Sequence, residues 1–211
     1  MKPAWMLVWA APLWAADSCL DCHSALPENL QAPATAFAND VHAHRGFHCT
    51  DCHGGDRDAQ DAEVAMSRAR GFVGKIDRLG VPRLCARCHS DANLMRKFQP
   101  QQRVDQFAQY QTSVHGKRLA AGDRAVATCV DCHSAHDIRA VKDPLAPVHP
   151  LRLPDTCGRC HADARHMRAY KLATDQLDQY RRSVHWEALA KRGDASAPSC
   201  ASCHGNHGAT P

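Results

Sequence analysis

Six times in 211 residues, two cysteines stand two residues apart with a histidine directly after the second. The copies are CLDCH (Cys19, Cys22, His23), CTDCH (Cys49, Cys52, His53), CARCH (Cys85, Cys88, His89), CVDCH (Cys129, Cys132, His133), CGRCH (Cys157, Cys160, His161) and CASCH (Cys200, Cys203, His204). Together they use all 12 cysteines of the chain. Two thiols at this spacing can add across the two vinyl groups on one edge of a porphyrin. The adjacent histidine then folds beneath to ligate the iron, which makes this the attachment signature for c-type haem. Paired cysteines also bind zinc or form a redox disulfide, but neither use needs a histidine in the next position. With histidine making up 15 of the 211 residues, six accidental placements have a probability on the order of 10⁻⁷. A disulfide framework would pair distant cysteines, whereas every cysteine here has a close mate. The motifs predict six covalently attached haem c groups, with His23, His53, His89, His133, His161 and His204 as proximal iron ligands.

Each iron has a second axial position, so six distal ligands are sought. His115 and His185 occupy the same place in two matched segments, VDQFAQYQTSVHGKRLAAGD and TDQLDQYRRSVHWEALAKRGD. His42 holds the Val-His position of a shorter version, DVHAHRGFH. His136 and His207 each follow a proximal histidine by three residues, in CHSAH and CHGNH. Proximal and distal attachments lie on opposite faces of a porphyrin, at least on the order of 10 Å apart, while three residues cover about 5 Å in a helix. Even fully extended they span only about 10 Å, and they would have to wrap around the macrocycle edge. His207 and His136 are therefore expected to serve a neighbouring haem. The sixth ligand is open: His44, His48 or neither serves, and a five-coordinate haem is the remaining alternative. Met95 and Met167, six residues after their proximal histidines, are further candidates; a methionine ligand would raise the potential, and packing of a soft side chain against a porphyrin is the simpler reading. His149 and His166 have no counterpart in the other long segment and read as surface histidines.

These ligands need elements to carry them. Each matched segment lies between two haem motifs, and the copies are offset by about 71 residues: Cys85 to Cys157 is 72, and Cys129 to Cys200 is 71. Such self-similarity marks a repeat. Three dihaem modules in a row follow, at residues 17–70, 71–143 and 144–211, with boundaries in the Pro- and Gly-bearing stretches Gly71 to Pro82 and Pro144 to Pro154. The matched segments read as single helices. Leu177, Tyr180, Val184 and Leu189 recur at helical spacing after Thr174 as N-cap, and Gly193 ends the element. Val104, Phe107, Tyr110, Val114 and Gly122 repeat the arrangement, placing His115 and His185 on the later turns.

Composition limits what else can hold the chain together. Aromatic residues are 6% and mean hydropathy is −0.47, so the protein core alone is thin. Six flat apolar macrocycles would supply the missing interior. The expected fold is mainly α, with extensive loops, little sheet and haem at its core. The formal charge of +4 becomes roughly −2 with six ferric haems and roughly −8 with six ferrous ones, since each brings two propionates against its iron charge. No nucleic-acid partner follows from it. Residues 1–16, one lysine and then an apolar run ahead of Asp17, have the layout of a secretory signal peptide and are too short to span a bilayer. Its removal would leave a soluble periplasmic protein with no transmembrane anchor.

The sequence resembles the soluble, exported multihaem c-type cytochromes of bacterial respiratory chains. The likeness rests on YxxSVHG followed by CVDCHSAH, on YxxSVH followed by APSCASCHGNHGATP, and on HCTDCHGGD with ARGFVGK in the first third. It implies that the Ser-x-His histidine and the histidine after the haem motif are distal ligands. It also implies electron transfer between a quinol-oxidising membrane donor and a terminal reductase or outer-membrane acceptor; self-association into a longer wire is a third reading on which the sequence is silent. The rival class is a multihaem reductase of nitrite, hydroxylamine or a sulfur oxyanion, which needs one open iron position with proton donors beside it. All six motifs end in histidine and none in lysine, which favours the carrier, with no catalytic residues, over the enzyme.

Overall fold

Every Cys-x-x-Cys-His motif lies on a short helix in the computed structural model, which describes residues 17–211. The signal-peptide expectation for residues 1–16 falls outside the described residues. The chain divides into two compact units. One comprises the chain up to Ala34 together with His48–Gly74, and the other Thr35–Phe47 together with Lys75–Pro211. The fold is helical, and no strand occurs among the described residues. No described helix is long and apolar enough to cross a membrane.

The first unit opens with α1 (Ser18–Ser24), capped by the Asp17 carboxylate, which accepts from the Cys19 amide at 3.1 Å. Next comes α2 (Glu28–Phe37), whose C-terminal end passes into the second unit. Then follow α3 (Cys49–His53) and α4 (Ala62–Ala65). Behind α3 the ARGFVGK stretch folds back closely. A Cβ on Gly54 would stand 2.1 Å from the Gly71 carbonyl oxygen, and Gly54 has φ +67°, so both the contact and the backbone demand glycine there.

The second unit is built twice over. α5 (Val81–His89) and α10 (Leu153–His161) each carry a haem motif and a proline in the first turn, where a missing N–H costs nothing. Between them lie α6 (Ala92–Phe98), α7 (Gln106–Thr112), α8 (Val114–Ala120) and α9 (Cys129–His133). After α10 come α11 (Ala164–Met167), α12 (Gln176–Arg181), α13 (Val184–Trp186) and α14 (Cys200–His204). α5 packs on α7 and α9 as α10 packs on α12 and α14. Polar details repeat with the packing. The Tyr110 hydroxyl donates to the Ala127 carbonyl at 2.8 Å and Tyr180 to Pro198 at 2.9 Å, while Asp91 and Asp163 cap α6 and α11 through backbone amides.

The matched segments are not single helices. Ser113 has extended backbone (ψ 162°), ends α7 and caps α8; its hydroxyl accepts from the Gly116 amide at 2.9 Å and donates to the Tyr110 carbonyl. Ser183 does the same between α12 and α13. A serine that can bond its own backbone offers an alternative to the helix ladder, and here that alternative wins. His115 and His185 thus sit at the start of a second helix. The expected cap Thr174 gives way to Asp175, which precedes α12.

The buried apolar set is thin, as composition requires: Val81, Met95, Leu119, Val126, Ala146, Met167, Ala188, Leu189 and Ala197. One cluster joins Leu189, Ala188 and Ala197 against Tyr180 and Trp186.

Candidate functional site

The second haem-motif helix of each pair is fixed by its own third residue. Asp131 accepts from the Thr128 amide at 2.7 Å and from its hydroxyl at 2.8 Å, Asp51 from the His48 amide at 2.7 Å, and Ser202 from the Ser199 amide at 3.0 Å. Arg78 also grips Asp131 with both guanidinium ends, at 2.8 and 3.2 Å.

The cysteines come together in a pattern the sequence does not display. The Cys85 thiol lies near enough to that of Cys129 for each to shift the other's proton affinity, and the same holds for Cys157 with Cys200 and for Cys49 with Cys19. Each pair joins the first cysteines of consecutive motifs. Between these pairs, the Arg159 guanidinium ties α10 to the Asp131 carbonyl at 2.6 Å, and Cys132 lies near enough to Cys160 to feel its charge. Burial, first of all, raises the Cys132 thiol, and Asp131 adds to it.

Histidines separated by dozens of residues meet ring to ring. His42 and His89 have centroids 6.0 Å apart, His115 and His161 6.1 Å, and His133 and His207 6.0 Å. Each pair sets one proximal-type histidine against one from outside the haem motifs. Asp40 and Val41 hold His42 in place, the Asp40 carboxylate accepting from the Ile138 amide and Val41 donating to the Ile138 carbonyl, both at 2.8 Å. His115 is set by the Ser113 cap. His207 rides on the C-terminal tail, pinned where Val114 donates to the Ala209 carbonyl and Thr210 to the His204 carbonyl. A cavity of about 140 Å³ beside it is lined by Arg103, Asp105, Gln106, Gln109, Asn206 and His207.

Burial favours the neutral form of five of these rings. It lowers His133 to about 4, helped by the charges of His207 and His89. It also lowers His89 (with His42), His115 (with His161), His161 (with His166 and His204) and His207, where Asp105 opposes and Arg103 assists. A neutral imidazole is the form that ligates a metal. Several rings have their Nδ1 occupied by a fixed acceptor: His53 by the Gly74 carbonyl at 2.8 Å, His204 by Thr210 at 2.9 Å, His23 by Leu30 at 3.3 Å. That is the usual orientation device of a ligating histidine.

A family model for cytochrome c3 matches residues 41–162, more than half of the chain. The chain belongs to the cytochrome c3 family. No curated protein and no solved structure matches it. The cytochrome is therefore a multihaem electron-transfer protein with covalently bound haem c. The residues present fit that group. Two metal–nitrogen bonds of about 2 Å, plus roughly 1.1 Å from each nitrogen to its ring centre, put two axial imidazoles about 6.2 Å apart. The three observed separations agree to within a few tenths of an ångström.

The remaining candidates are distributed as follows. His136 is half-buried, and His185 is exposed beside Val184. His44 is exposed, with its Nε2 engaged by the Ala38 carbonyl at 3.1 Å. The His48 Nδ1 meets the Asp17 carboxylate at 2.9 Å. Met95 and Met167 are buried, at 9% and 4% exposure. Sequence reasoning missed the partners of these rings: Asp17, Asp40 and the carbonyls of Leu30, Gly74 and Thr210. Carbonyl partners leave no sequence signal. An aspartate two residues before a candidate histidine, as in DVH, was the one visible clue.

Proposed function

We propose that the cytochrome is a periplasmic hexahaem electron carrier built from three dihaem modules, with histidine at both axial positions of its irons. The reading is carried by the three proximal–distal histidine pairs at 6.0–6.1 Å, each joining rings far apart in sequence. His42 then serves the haem at Cys85 and Cys88, His115 the haem at Cys157 and Cys160, and His207 the haem at Cys129 and Cys132. His207 serves a neighbour of its own motif's haem, and His136 holds the corresponding place after CVDCH.

Haem iron, once bound, supplies a one-electron couple whose potential follows from its axial ligands and surroundings. The chain's own contribution is spacing and closure. The paired imidazoles would hold both axial positions of a bound haem and leave no open iron position for substrate there. In the second unit, thiols lie near one another in the series Cys85–Cys129, Cys132–Cys160 and Cys157–Cys200. Haems attached at those sulfurs would be held as near neighbours, the arrangement that passage between redox centres needs. In the first unit Cys19 and Cys49 are neighbours in the same way. The partners are redox proteins: a quinol-oxidising membrane donor, and a terminal reductase or outer-membrane acceptor.

The test is haem content with visible and EPR spectra of the matured ferric protein. Six haems per chain, with those of His89, His133 and His161 low-spin, are expected. His42→Ala, His115→Ala and His207→Ala should each convert one haem to high-spin at unchanged haem content. Spectra indifferent to all three would overturn the assignment.

A further inference from the structure

Two histidines outside the haem motifs are held at Nδ1 by a buried carboxylate. Asp40 is 1% exposed and its Oδ1 meets the His42 Nδ1 at 2.8 Å, while its second oxygen accepts from the Ile138 amide. The same Oδ1 also accepts from the His42 amide at 2.8 Å, so both oxygens of this carboxylate are engaged. Asp17, 8% exposed, makes the same contact with the His48 Nδ1 at 2.9 Å while capping α1. Each aspartate is buried, locked by backbone amides, and aimed at the ring nitrogen that a ligating imidazole does not use. The proximal rings His23, His53 and His204 have neutral backbone carbonyls in that position.

We propose that Asp17 does for His48 what Asp40 does for His42: each carboxylate fixes its imidazole through Nδ1 and leaves Nε2 as a distal iron ligand, His48 to a haem of the first unit. The proposal rests on the bis-histidine reading above. It decides between the two neighbours of His42, because the ring of His44 spends its Nε2 on the Ala38 carbonyl and has no buried acceptor behind it. A carboxylate acceptor makes the imidazole more basic than a carbonyl does and favours ferric over ferrous iron. Asp40 and Asp17 would therefore lower the potentials of the haems that His42 and His48 serve. Asp17 and Asp40 are positioning residues, since neither reaches the iron.

The test uses the full chain matured with its haems. His48→Ala should turn one haem high-spin, with haem per chain unchanged, and His44→Ala should turn none. Asp17→Asn and Asp40→Asn keep the shape and remove the charge. Each should raise the midpoint potential of one haem and tighten cyanide binding at one haem by about 10–100-fold, the usual cost of losing such a partner. Low-spin spectra throughout in His48→Ala, or potentials and cyanide affinity unmoved in Asp17→Asn, overturn the proposal. If His48→Ala fails to mature, the Asp17→Asn potentials decide alone. His42→Ala separates the two levels. If it gives a high-spin haem while His48→Ala does not, only the present proposal falls; if neither does, the bis-histidine reading falls with it.

Discussion

Gly116→Ala adds one methyl group next to His115, and the geometry allows its effect to be worked out. A Cβ at Gly116 would stand 1.9 Å from the Tyr110 carbonyl oxygen and 2.8 Å from its carbon, about 1.5 Å short of an ordinary 3.4 Å contact. The obstacle is backbone, tied into α7 and accepting from the Ser113 hydroxyl, so no side chain can swing aside. The start of α8 has to move by something near the overlap. Overpacking of this kind costs about 1–3 kcal/mol. Alanine's better helix propensity returns up to about 1 kcal/mol. With that return in full, the net loss reaches at most about 2 kcal/mol, and each kcal/mol lowers Tm by roughly 2–4 °C at this chain length. The larger consequence is local. A metal–ligand distance tolerates about 0.2 Å, several-fold less than the shift required, and His115 is the neighbouring residue. One haem of the second unit should become high-spin in EPR while haem content holds. The chain contains its own comparison: the residue after His185 is Trp186, whose ring stacks edge-on to Tyr180 at 5.9 Å, and there the histidine is exposed. A Gly116→Ala protein with every haem low-spin and an unchanged Tm would refute the reasoning.

Met95→Leu and Met167→Leu should each cost less than about 1.5 kcal/mol and leave all spin states as they are, because the sulfurs act as packing; a new high-spin signal would make them ligands. Leu189→Ala, at 0% exposure, should lose about 2–5 kcal/mol in thermal unfolding without changing the EPR spectrum. Asp131 supplies the pH dependence. Burial works to raise its carboxyl, but Arg78 and Thr128 prevail and hold it below the usual range. A depressed folded value means that its contribution is complete above the unfolded value of about 3.9 and disappears as pH falls through the folded one. The Tm difference between wild type and Asp131→Asn should therefore be constant at neutral pH and shrink on acidification below about pH 4. A difference that grows toward acid would reverse the assignment.

What the sequence made legible follows from which interactions are local. Cys-x-x-Cys-His is closed within five residues, so both the chemistry and the helix are visible at each copy. The internal repeat was visible as well, and the argument that three residues cannot round a porphyrin moved His207 away from its own motif. The break at Ser113 was not read, although SVH carries the signal: a serine before a β-branched residue competes with the helix for its own amides. The pairing of particular histidines was out of reach, since His42 meets His89 and His133 meets His207 across 47 and 74 residues. Those distances are set by tertiary contacts such as Asp40 with Ile138. The nearness of particular thiols was hidden for the same reason, because spacing within a motif says nothing about which motifs adjoin.

The contacts of α10 suggest why so thin an apolar core suffices. α10, which carries Cys157 and Cys160, packs on α14 and reaches the Asp131 carbonyl of α9 through Arg159, so two neighbouring motif helices are met from one motif. Cys129 and Cys132 divide in the same way, toward Cys85 and Cys160. Each motif in the middle of the second unit is thus a junction between its predecessor and its successor. Its distal histidine comes from a third place in the chain: His115 lies 46 residues before His161, and His207 comes 74 residues after His133. On the bis-histidine reading, a group bonded to both thiols and ligated from both faces would tie at least three chain segments that share little other packing. The junctions that carry electrons would then also hold the fold, and a substitution that loosens one should be felt in both.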